Sequence, residues 1–179
     1  MLSTQLPLLN GALLGLLLLF APTLLYAQNV EQKLKAAFLY RFAQFVDWPQ
    51  QAVAKFDGQL VLCLLGNDSL DGALGEIEGK SLGERNIAIR YIVKPQQLAQ
   101  CHVAYINQPR SAWEDVQHHA QLASVLTVSD SKGFAGTGGM IELVRADNRL
   151  NFIINLHAAK AAGLHISAQL LKLARQVYE

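Results

Sequence analysis

The sequence has no dominant charge. Fifteen Lys and Arg stand against fourteen Asp and Glu over 179 residues, a formal net charge of +1. A protein that neutralises a phosphate backbone needs a basic excess, so nucleic acid is not expected as a partner. The usual nucleophile patterns are also missing, with no G-x-S-x-G elbow and no S-x-x-K. Acidic residues are scattered singly, without the close pair that general acid and base work uses. Among five histidines, His118 and His119 are adjacent, so on a helix their rings point about 100° apart. His157 and His165 flank Gly163 with no carboxylate at ligand spacing. Two cysteines are too few for a sulfur-ligated zinc site of the usual kind. The chain therefore reads as non-enzymatic, with no catalytic residue, metal or cofactor expected.

What is present is apolar. About half of the residues are hydrophobic, enough for one globular domain and too few for two. No charged residue lies between Leu6 and Ala27, and Leu13 to Phe20 is an apolar run followed by Ala21-Pro22 and by the small residue Ala27. This is the pattern of a secretory signal, predicting a signal segment over 1–27, cleavage after Ala27 and a single domain over 28–179. The run approaches the roughly 20 residues that span a bilayer, so an uncleaved anchor is the other reading.

"NVEQKLKAAFLYRFAQFVD" has apolar residues recurring at three and four positions, predicting an amphipathic helix from Asn29, as its cap, to Asp47. Short runs at Leu60 to Gly66, Ile87 to Val93, Val103 to Asn107 and Val125 to Ser129 suit strands buried on both faces of a parallel sheet. Helix-like stretches, Ser69 to Ile77 and Ser111 to Leu122, lie between them. Met140 to Arg145 and Leu150 to Asn155 flank a short "ADN" turn and read as an antiparallel hairpin. Leu156 to Ala162 predicts a helix stopped by Gly163, and Ser167 starts another whose face includes Leu170, Leu171, Ala174, Val177 and Tyr178. The fold class is α/β: a three-layer sandwich with a mostly parallel central sheet, a C-terminal antiparallel hairpin and flanking helices.

"GFAGTGG", Gly133 to Gly139, looks like a phosphate cradle, yet a strand follows it where a helix N-terminus would be needed. A sharp turn into the hairpin is the expected role. In parallel sheets, ligands gather at the carboxyl ends of the strands. Gly66, Asn67, Asn107 and Ser129 are accordingly the candidate ligand-binding residues, against ordinary capping and turn formation as the alternative. For an exported chain, Cys63 and Cys101 are expected to pair, closing a loop worth roughly 4 kcal/mol in the chain-entropy model, while two buried free thiols are the other reading.

Two stretches carry a family resemblance. "KAAFLYRFAQFVDWP" and "GFAGTGGMIELVRADNRLNFIINLHAAKAAGLHISAQLLKLA", joined by "LVLCLLGND" and "CHVAYIN", resemble the YfiR/HmsC-like family of exported bacterial proteins. The resemblance implies a periplasmic regulator that represses a membrane-bound diguanylate cyclase by binding its periplasmic domain. It also implies release helped by an OmpA-like outer-membrane lipoprotein, control of cyclic di-GMP and biofilm formation, and a homodimer. The family match at Cys63 and Cys101 supports their pairing. Some relatives carry a second cysteine pair around the glycine-rich stretch, where this chain has Phe134, Gly136 and Met140. Phe152 and Asn155, in the closing motif, are the candidate partner-binding residues, against a core role. A soluble periplasmic carrier or sensor of a small molecule is the alternative function.

Overall fold

The structure is a computed structural model and describes residues 21–54, 56, 58–66, 70–119 and 122–179, with the side chains of 21–28, 53, 71, 110, 111 and 119 left aside. The apolar run of the expected signal segment and the candidate Asn67 lie outside the described residues. Helix α1 spans Ala21–Gln44. It passes unbroken through Ala27 and Asn29, so Asn29 is an interior residue and not the expected cap. It also ends at Gln44 rather than Asp47, because Val46–Asp47 leave it as strand β1 to pair with β9, His165–Ile166.

Among the described residues, the central sheet has eight strands. Strands β2 (Gln59–Gly66), β4 (Arg85–Ile92), β5 (Val103–Asn107), β6 (Leu126–Ser129) and β7 (Ile141–Ala146) run parallel. The mostly apolar runs of β2, β5 and β6 follow from burial on both faces, whereas β4, with Arg85, Asn86 and Arg90, is only partly covered. The short β3 (Ser81–Leu82) and the longer β8 (Arg149–Asn155) are antiparallel to their neighbours β4 and β7. Asp147 and Asn148, both at positive φ, make the two-residue turn between β7 and β8 that the twist of a hairpin favours.

Helix α2 (Gln50–Ala54) follows β1, and α3 (Asp71–Leu74) is shorter than the helix expected over Ser69 to Ile77. Helix α4 is Arg110–His119. Ser167 caps α6 (Ala168–Leu173) by accepting from the Leu170 N–H, and Gly163, at φ +77, stops α5 (Leu156–Ala161) as expected. The final helix does not reach Val177 and Tyr178. Gln176–Tyr178 form β10 instead, parallel to β8, and the Arg175 N–H donates to the Phe152 carbonyl at 2.9 Å. The open edge of β8 offers main-chain partners that outweigh a short helix's periodicity.

Two cores result. On one face α1, α3 and α6 pack Leu39, Phe42, Leu74 and Leu170 against Leu60, Leu62, Val103 and Leu126. On the other, Trp113 and Val116 of α4 meet Val61, Leu65 and Ile106, with Phe134 from the glycine-rich stretch. Cys63 and Cys101 form a disulfide in this second core, with Cα atoms 5.8 Å apart. It ties β2 to the approach of β5. Reduction, or Cys63→Ser, is expected to lower stability by about 2–4 kcal/mol, the range for loops of this size. Chemical denaturation with and without reductant checks it. Identical transitions would show that the bond does not hold the second core.

Candidate functional site

The strand ends come first, since ligands were expected there. Gly66 and Asn107 are register partners across β2 and β5. A Cβ on Gly66 would lie 2.1 Å from the Asn107 carbonyl oxygen, and Gly66 sits at φ +113, so this close approach requires glycine. Ser129 is buried; its hydroxyl donates to the Ile106 carbonyl at 2.6 Å and accepts from the Ser131 N–H. The Ser131 hydroxyl donates to the Gln108 carbonyl. These groups stitch neighbouring loops together, and the fold already engages them.

A charged cluster sits beside this seam. Lys35 of α1 reaches Asp130, the residue after β6, at 2.6 Å, and Glu31 one turn earlier at 3.1 Å. Glu31 also pairs with Arg145 of β7. Burial works against the Lys35 charge, but the Asp130 and Glu31 carboxylates outweigh it and hold its pKa above the ordinary lysine value. Burial likewise pushes Glu31 up, yet Lys35 and Arg145 together pull it below the ordinary value of 4.5. Tyr105, buried beneath, is driven upward by desolvation and then by the Asp130 charge. The i,i+4 spacing of Glu31 and Lys35 is legible in the sequence. Asp130, 95 positions from Lys35, gives no sequence signal of the pairing.

The glycine-rich stretch holds an anion after all, one supplied by the chain. Glu142 of β7 is buried, and its carboxylate accepts from the Gly133 N–H at 2.9 Å and the Ala135 N–H at 3.1 Å. Trp113 pins the stretch from α4 through its indole N–H to the Thr137 carbonyl and by ring contact with Phe134. The stretch is not the sharp turn expected. It carries the chain back across the sheet, so that β7 starts parallel to β6. An acid inside the apolar run "MIELV" was the available clue to a buried, hydrogen-bonded carboxylate.

The surface feature of α1 is a groove. Val30, Leu34 and Phe38 form one wall, Leu150 and the hairpin turn the other, and Arg145 and Arg149 the rim, around about 560 Å³. Val30 is 50% and Leu34 43% exposed, although both are apolar. Phe38 continues into a smaller cavity of about 280 Å³ that Phe152 and Leu173 also line. Phe152 is itself buried, edge-on to Phe42 at 5.1 Å and Phe38 at 5.8 Å. Asn155 caps α5 by accepting from the Ala158 N–H and donates to the Ala135 carbonyl. Of the two candidate partner residues, then, Phe152 borders the groove system and Asn155 serves the fold. His102 went unremarked in the sequence. It is buried, with Nδ1 accepting from the Val61 N–H and Nε2 facing the Ala52 carbonyl.

Among the described residues, the loops at the strand ends are tied together by internal hydrogen bonds, and an apolar groove lies open along α1. A family model described as YfiR/HmsC-like matches residues 32–175, and the chain belongs to that family, whose members are regulatory proteins of the periplasm. No curated protein matches the chain. Among solved structures it is similar to the ABC domain in complex with L-Trp from Streptococcus pneumonia, at 12% identity and a TM-score of 0.48. That match covers 72% of this chain and 59% of the other.

Lys35→Met leaves Glu31 and Asp130 without their shared cation. The loss is expected to be about 1–3 kcal/mol in chemical denaturation. The pH profile gives a second readout. The lowered Glu31 contributes stability above its unfolded value of 4.5 and loses it as pH falls through the folded value. The raised Lys35 contributes below 10.5 and loses it as pH climbs through the folded value above that. The variant should therefore weaken less steeply than wild type below pH 4.5 and above pH 10.5. Parallel profiles would contradict the cluster's role.

Proposed function

We propose that this protein is a periplasmic regulator without enzymatic activity that represses an inner-membrane diguanylate cyclase by binding that enzyme's periplasmic domain along the α1 groove. Repression keeps cyclic di-GMP, and with it biofilm formation, low until an OmpA-like outer-membrane lipoprotein helps to draw the regulator away. Membership of the YfiR/HmsC-like family supports the class of partner. The observation that carries the surface is the exposure of Val30 and Leu34, both apolar, in a groove that Arg145 and Arg149 border. Exposed apolar surface rimmed by polar groups marks interaction sites; Arg145 is already paired with Glu31, and Arg149 favours an acidic group on the partner. The carrier reading puts its ligand at Gly66, Asn107 and Ser129, where the described groups already serve the fold.

Leu34→Asp and Arg149→Glu test the surface, because both positions are exposed enough to change without unfolding the chain. Each should weaken binding to the cyclase's periplasmic domain at least about tenfold, an anchor-sized loss. Thermal melting should be unchanged and cellular cyclic di-GMP should rise. Full-strength binding by both variants would remove the groove from the proposal, and failure of wild type to bind would remove the cyclase.

A further inference from the structure

At the C-terminal end of α1 lies a further cavity. Gln44 and Phe45 line it from the helix end, and Leu82 to Arg85 line it from the turn between β3 and β4, around about 630 Å³. Leu82 and Arg85 are register partners, so Gly83 and Glu84 form a two-residue hairpin loop. Gly83 sits at φ +61, a conformation that the first position of such a loop favours. The Tyr40 hydroxyl of α1 donates to the Ser81 carbonyl at 3.1 Å and ties this hairpin to the helix. Both walls of the cavity are thus anchored to each other.

Two donors sit together here, and neither has an acceptor. Arg85 Nη1 and Trp48 Nε1 are both buried and make no hydrogen bond among the described residues. The Arg85 guanidinium carbon stands 6.0 Å from the centre of the Trp48 ring, so the two belong to one patch. Trp48 follows β1, is 8% exposed and meets the His102 ring edge-on at 5.9 Å. Buried donors are nearly always satisfied, because stripping one of water without giving it an acceptor is costly. A guanidinium beside an indole N–H, on the wall of an open cavity, is a pair of donors suited to an anion.

We propose that this cavity binds a small monocarboxylic acid, its carboxylate on the Arg85 guanidinium and the Trp48 indole N–H and its apolar body against Phe45 and Leu82. A planar carboxylate matches the guanidinium fork and keeps a lone pair for the indole. Arg85 is half-buried, and its long stem lets the fork turn toward the cavity that the residue lines. Glu84 limits the charge. It lines the same cavity, so a second negative charge on the ligand would face its carboxylate. Phe45 packs on the first core and Leu82 belongs to it, which gives the apolar end of the ligand a wall that the fold holds in place. The site does not depend on the cyclase reading.

Titration calorimetry of the whole chain with hexanoate, hexanol and inorganic phosphate reads the ligand class. Hexanoate should bind, and the neutral alcohol and the more highly charged phosphate should each bind at least about tenfold more weakly. Nuclear magnetic resonance locates the site. The chain has two tryptophans, and the Trp113 N–H is engaged by the Thr137 carbonyl, so hexanoate should shift the indole N–H signal of Trp48 and leave that of Trp113 in place. Arg85→Met should bind hexanoate at least about tenfold more weakly and yet melt no lower than wild type, because it removes a buried donor that has no acceptor. Absence of hexanoate binding, equal binding of hexanol or phosphate, or an unmoved Trp48 signal would overturn the proposal. So would an Arg85→Met variant that binds as wild type does or melts well below it.

Discussion

The seating of α1 on the parallel sheet is the contact that the rest of the molecule depends on. Ala36, Leu39, Phe42 and Ala43 are buried against Leu60, Leu62, Val103 and Leu126, and without the helix that face of the sheet would be wet. Burial of side chains such as Leu39 and Phe42 contributes about 1.5–3 kcal/mol each. Apolar packing is tolerant of sliding, however. Lys35 supplies the direction that packing lacks, because its ammonium bridges Glu31 on its own helix and Asp130 at the end of β6. With the inner stripe buried and the helix fixed in rotation, the stripe of Val30 and Leu34 is left facing outward.

The two faces of the sheet are held by different means. Helices α1, α3, α5 and α6 pack on the first. The second is packed by α4 and by Leu98 of the 3-10 turn Pro95–Gln100, and is completed by cross-links: the disulfide between Cys63 and Cys101, the Glu142 carboxylate on two loop N–H groups, and Trp113 on the Thr137 carbonyl. A glycine-rich stretch has backbone groups able to bind an anion. Here an internal carboxylate occupies them, so geometry that resembles a nucleotide loop rigidifies a sheet crossover. Both faces are closed. Among the described residues, the α1 groove lies open at the surface.

The layered α/β fold was legible because β2, β5 and β6 are buried on both faces and therefore read as mostly apolar runs. The hairpin was legible in Asp147 and Asn148, and the start of α6 in Ser167, because turns and caps are local chemistry. Three features were not. Val177 and Tyr178 continue a helical spacing, yet they form a strand because β8 offers a free edge, and that opportunity exists only in three dimensions. The pairing of β1 with β9 joins two-residue segments too short to show any period. The glycine-rich stretch gave its composition but not its direction, since whether it reverses or returns the chain depends on where β7 finds a neighbour. At the site the gap is similar. Glu31 and Lys35 sit a helical turn apart and can be paired on paper, whereas Asp130 and the rim arginines reach α1 only through the fold.

Hydrogen exchange on the whole chain, alone and with the cyclase's periplasmic domain, tests the central claim most directly. The account predicts that amides 36–43 of α1 exchange as slowly as those of β2 and β5 in the free chain, and that adding the partner slows exchange at 30–38 and 145–150. Fast exchange along α1 beside a protected sheet, or partner protection confined to other segments, would contradict it.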